Sequence, residues 1–226
     1  MVIDAGIGSE GRARAHGGCV GSDGPGGGNT LSASQMEMRS ALLGGFAGQL
    51  VSGLVWVLSS AVSVLGAPRY GMAFLFLGSM AIFPLTQLVL RLMGRPATVG
   101  GKNGLWQLGS QVAFTVPANF ALVGAATLYR EAWFFPAAMI VVGSHYIPFI
   151  TLYGMRMYGA LAASLILGGL GLALYGPAVF SLGGWATGLA LITFAFIGKS
   201  AVLREERCRT RHQPSLVLQP TWRTRD

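Results

Sequence analysis

The chain has 226 residues, of which 52% are hydrophobic and 11% charged, and its formal net charge is +8. An ordinary globular domain is about one-quarter charged, yet residues 41–198 hold only Arg69, Arg91, Arg95, Lys102, Arg130, Glu131 and Arg156. So little polar surface cannot cover a water-soluble core, which excludes a soluble enzyme and a nucleic-acid-binding domain and leaves an all-α polytopic transmembrane bundle.

Residues 1–38 read as a glycine-rich tail. The stretch 17–29 is low in complexity and is expected to be disordered. No apolar run long enough for a secretory signal occurs in the first 35 residues. Met36 and Met38 directly precede the hydrophobic block, so either is a candidate natural start, with the upstream part an overrun.

A helix crosses the hydrocarbon layer with about 20 mostly apolar residues. Six such segments follow, at about 41–65, 70–90, 105–128, 132–152, 157–175 and 178–198. The first places Gly45, Gln49, Ser52, Trp56, Ser59 and Ser63 on one heptad stripe, the pattern of a helix–helix seam. In the third, Gln107, Gln111, Thr115 and Asn119 recur every fourth residue. That stripe drifts by about 40° per step and so faces a broad polar interior. The fourth carries Ser144 and His145, followed by Pro148. A proline frees the carbonyl four residues earlier, so Pro84, Pro117 and Pro148 release those of Met80, Ala113 and Ser144. Three such breaks predict kinked helices around a hydrated pocket. Small-residue pairs (Gly44/Gly48, Gly159/Ala163, Gly169/Ala173 and Gly184/Gly188) permit close backbone approach. A basic tail, 200–226, closes the chain.

Six crossings put both termini on one side, together with the loops around 91–104 and 153–156. Of the Lys and Arg residues only Arg69 and Arg130 fall on the other side, so both ends are expected in the cytoplasm of a bacterial inner membrane. Lys199, Arg204, Arg207, Arg209 and Arg211 act as a stop-transfer signal or attract anionic lipid headgroups.

Depth connects the polar residues. At 1.5 Å per residue, Gln49, Gln111 and His145 lie roughly 9–12 Å from the cytoplasmic ends of their helices, with Ser52, Ser110 and Ser144 beside them and Asn119 deeper. This inner-leaflet layer is the candidate ligand or proton site. The competing reading is interhelical glue, since such hydrogen bonds average about 0.6 kcal/mol.

The spans contain no Asp or Glu, so carboxylate proton relays are not expected. Metal-site spacing and a Ser-His-Asp set are also missing from the sequence. Cys19 and Cys208 sit in opposite tails and read as free thiols. No catalytic residue, metal or cofactor is expected. The expected partners are the bilayer and a second copy or another membrane protein, not nucleic acid. Three functions stay open: a small permease for an uncharged or weakly charged solute, a structural or regulatory membrane subunit, and, least supported, an intramembrane enzyme acting on lipid.

The run Gly143-Ser144-His145-Tyr146-Ile147-Pro148-Phe149, followed by Leu152-Tyr153, resembles a signature in a family of small bacterial membrane proteins catalogued only as a domain of unknown function. The segment Lys102-Asn103-Gly104-Leu105, leading into a Gln-bearing helix, is similar too. The likeness covers roughly residues 41–175. Ser144 stands where the family pattern has a small residue, often Ala. The resemblance implies a polytopic helical fold and draws attention to His145 and Pro148; it brings no established activity.

Overall fold

The computed structural model describes residues 28–95, 104–177 and 179–212, and among these every regular element is helical. The elements are α1 (Gly28–Leu42), α2 (Phe46–Leu65), α3 (Pro68–Leu92), α4 (Gly104–Tyr129), α5 (Phe134–Tyr153), α6 (Met157–Tyr175) and α7 (Leu182–His212), with short 3-10 turns at Leu43–Gly45 and Glu131–Trp133. Helices are the expected answer to lipid, because each satisfies its own backbone polar groups. Among the described residues six stretches are long and apolar enough to cross a membrane, the first of them running through α1 and α2 together. Most of the glycine-rich stretch, the loop residue Lys102 and residues 213–226 lie outside the described residues.

The first span departs from the expected continuous helix. Leu43, Gly44 and Gly45 all adopt positive φ, at 49°, 59° and 78°, and break the helix between α1 and α2. Glycine enters that left-handed region freely, whereas Leu43 does so at a cost. Burial of the Leu43 side chain holds it there. The break also frees the Gly44 carbonyl, and the buried Tyr158 hydroxyl of α6 donates to it.

The described parts of both tails, residues 28–38 and 200–212, are helical. Residues 28–38 belong to α1, where Met38 joins the core and Gln35 Nε2 donates to the Thr151 carbonyl at 2.7 Å. The C-terminal end of α7 extends past the apolar stretch, and its acids meet basic residues from elsewhere in the fold. Glu205 pairs with Arg39 at 2.9 Å, and Glu206 with Arg95 at 3.0 Å.

Two groups of helices make the bundle. α2 packs on α3 and α7, and α5 packs on α6 and α4. Trp56 of α2 and Phe135 of α5 join the groups through the core, their rings 6.0 Å apart. Small residues set the seams. A Cβ on Gly53 would lie 3.0 Å from the Gly188 carbonyl oxygen, and one on Gly188 would lie 3.0 Å from that of Gly53. Across α5 and α6, a Cβ on Gly169 would meet the Pro136 carbonyl at 2.8 Å. Between α2 and α3, Ser59 Oγ donates to the Gly71 carbonyl at 2.8 Å. The heptad stripe of α2 is accordingly buried from Gln49 to Ser63.

Candidate functional site: a polar face on α4 and α5

Of the polar side chains singled out in the sequence, His145 and Thr115 bridge two helices. His145 projects from α5, half-buried, with Nδ1 3.4 Å from Thr115 Oγ1 of α4. Thr115 commits its own proton to the Val112 carbonyl at 2.7 Å. With that proton committed, Thr115 Oγ1 can accept from a protonated Nδ1, and the Val112 backbone is a further hydrogen-bond partner of the ring. Asn119 Nδ2 donates to the Thr115 carbonyl at 2.7 Å, one turn further along. Of the α4 stripe, Thr115 meets the α5 histidine and Asn119 lies one turn beyond it.

Other members of the expected layer lie elsewhere. Gln107 and Gln111 are on α4 but exposed, and Ser144 is exposed with its hydroxyl turned back to the Val141 carbonyl at 2.8 Å. Gln49 and Ser52 are buried on α2, whose packing partners are α3 and α7. Equal depth therefore does not bring Gln49 to His145. The Gln49 side chain is only 2% exposed, and neither its Oε1 nor its Nε2 has a hydrogen-bond partner among the described residues. Pro84, Pro117 and Pro148 all lie inside helices that continue past them.

Composition and spacing of polar residues missed an aromatic wall behind His145. Its ring lies 5.0 Å from Phe149 and 5.6 Å from Tyr146. Tyr146 and Tyr153 each stack on Tyr158, at 5.9 and 5.4 Å. Tyr146, Phe149 and Tyr153 follow i, i+3, i+7 spacing, a one-face pattern that could have revealed the wall. The last link, the Tyr158 hydroxyl on Gly44, ties this wall to the break between α1 and α2.

The arrangement supplies a half-buried imidazole, neighbouring amide and hydroxyl groups, and an apolar back. Such a set can hydrogen-bond a neutral or weakly polar solute. No curated protein and no solved structure matches the chain. Residues 31–200 match a family described as a family of unknown function, DUF7010, and the chain belongs to that family.

Proposed function

We propose that this is a small multi-pass protein of a bacterial inner membrane, with both ends cytoplasmic, that acts as a transporter-like protein for an uncharged or weakly charged solute. The observation that carries the reading is the approach of His145 Nδ1 to Thr115 Oγ1 across α4 and α5. Polar groups within lipid-spanning helices are costly unless they serve packing or function. This set makes one long interhelical contact and leaves Gln111 and Ser144 outside it. The partly buried Phe149 ring, backed by the buried Tyr146 and Tyr158, gives a solute an apolar surface beside the polar groups.

A deletion strain screened for growth phenotypes, then complemented with His145→Ala or Gln111→Leu, tests it. Loss of complementation with normal folding and yield supports a solute site. Loss of yield with no separable phenotype supports the second reading, a structural or regulatory membrane subunit. That second reading draws on the outward-facing Gln107, Gln111 and Ser144, which another membrane helix could cover. Orientation has a separate test. Reporter fusions after Leu128 should report periplasm, and fusions after Arg95 or Thr210 cytoplasm; the reverse pattern overturns it.

A further inference from the structure

An open groove of about 300 Å³ lies where α1, the start of α6 and the charged end of α7 meet. Arg39, Arg156 and Glu205 line its polar side, while Met155, Ile197 and Val202 are among its apolar residues. Arg39 spends Nη1 on Glu205 at 2.9 Å, but its Nε is buried and has no hydrogen-bond partner among the described residues. The Arg156 side chain is exposed and without an ion-pair partner among them. Glu205 is also held by Arg209 Nη2 at 3.5 Å. Two guanidiniums therefore hold one carboxylate, and the Arg156 guanidinium adds a third positive charge to the lining, so the groove is net positive.

A buried guanidinium N–H without an acceptor is unfavourable, and an anionic oxygen would satisfy it with a charge-assisted bond. The position narrows the anion. Arg156 immediately precedes the apolar α6, and Ile197 closes the apolar part of α7 before its charged end. That is the headgroup level of any bilayer these helices span. A free inorganic anion would use the arginines and leave the methionine, isoleucine and valine surface idle. A lipid uses both.

We propose that this groove binds an anionic phospholipid, its phosphate on Arg39 and Arg156 and its first acyl carbons along Met155, Ile197 and Val202. The site is independent of the α4–α5 face. Glu205 stays neutralised by Arg39 and Arg209, which keeps it from repelling the phosphate.

The test uses the full chain in detergent with an equimolar mixture of phosphatidylglycerol and phosphatidylcholine, with retained lipid read by native mass spectrometry. Phosphatidylglycerol should be retained in preference. A basic residue near an anionic lipid contributes a factor of about five, so Arg156→Gln should lower phosphatidylglycerol retention about five-fold. Adding Arg39→Gln should remove the preference. Arg69→Gln/Arg130→Gln, at the opposite end of the bundle, should leave it intact. Arg156→Gln touches no ion pair among the described residues, so an unchanged melting temperature separates lost binding from lost structure. Excess inorganic phosphate should fail to displace the lipid. Equal retention of the two lipids, or wild-type retention by Arg156→Gln, overturns the proposal. Displacement by phosphate alone would also overturn it, making the groove a simple anion site.

Discussion

Arg95 and Glu206 meet with two parallel contacts, Nη1 to Oε1 at 3.1 Å and Nη2 to Oε2 at 3.0 Å. The pair joins the residues just after α3 to the charged end of α7, across elements far apart in sequence. Arg95 Nη1 also donates to the Ser40 carbonyl at 3.2 Å, and Ser40 Oγ donates to Glu206 at 3.1 Å. One carboxylate thus fastens α1, α3 and α7 at the same end of the bundle.

The hydrogen bond from Arg95 holds the Glu206 carboxyl below its ordinary value of 4.5, with Ser40 adding a second. A depressed folded-state pKa contributes stability that is complete above the unfolded value and lost as pH falls through the folded one. The wild-type melting temperature in detergent should therefore drop as pH falls below 4.5. Glu206→Gln should melt lower at neutral pH, by the equivalent of about 1 kcal/mol, and should have a flatter acid limb. An acid limb as steep as wild type in the variant would refute the assignment.

Gly45 faces the Tyr158 hydroxyl so closely that an added Cβ would lie 2.5 Å from it, and φ there is +78°. Gly45→Ala should destabilise by about 1–3 kcal/mol from crowding, plus about 1 kcal/mol from left-handed strain. Tyr158→Phe alone should cost about 1 kcal/mol, because the Gly44 carbonyl loses its donor. In the Tyr158→Phe background the crowding part of the Gly45→Ala penalty should shrink while the strain remains. Thermal melting of the four proteins in one detergent gives the coupling. Strict additivity would mean that the hydroxyl is not what the new methyl meets.

Why these features escaped the sequence is physical. Long apolar runs are a one-dimensional signal, so the spans were legible, and the fifth, 157–175, coincides with α6. The α2 stripe was legible because its 3.5-residue period is a property of one helix. α1 was not, since its composition is polar and its anchors are remote: Thr151 for Gln35, and Glu205 for Arg39. Gly44 matched a small-residue packing pair with Gly48, and nothing local marks it instead as a break. The candidate site split for a similar reason. Depth along a helix fixes how far in a residue lies but not which helices are neighbours. Gln49 and His145 share a depth and sit in different helix groups, whereas Thr115 is His145's actual partner.

The Gly53–Gly188 contact between α2 and α7 is reciprocal, each position placing a new Cβ 3.0 Å from the other's carbonyl oxygen. Neither backbone can yield without moving a helix. Gly53→Ala and Gly188→Ala should each cost about 1–3 kcal/mol, measured as lowered resistance to unfolding in mixed micelles. Gly171 and Gly124 have open space where a methyl would go. Alanine there should be neutral or stabilising by up to about 1 kcal/mol, from helix propensity alone. Equal losses at all four positions would show that glycine content, not close approach, sets stability.

Gln49 offers a test in the opposite direction. Its amide is buried with both polar atoms unpartnered among the described residues, and Thr86 of α3, close to Gly48, has a buried, unpartnered Oγ1. An unmet buried polar group costs about 1–3 kcal/mol, while an apolar replacement of the same shape removes that cost. Gln49→Met should therefore raise stability in detergent by about 1 kcal/mol, and Thr86→Val should act in the same direction. Gln111→Leu, on the exposed face of α4, should leave stability unchanged. A Gln49→Met protein that melts lower than wild type would mean that the amide is satisfied by water or ligand in the seam. Gain of stability together with loss of the complementing phenotype would instead assign Gln49 to function, since a polar group kept at a cost to folding is then being used for something other than folding.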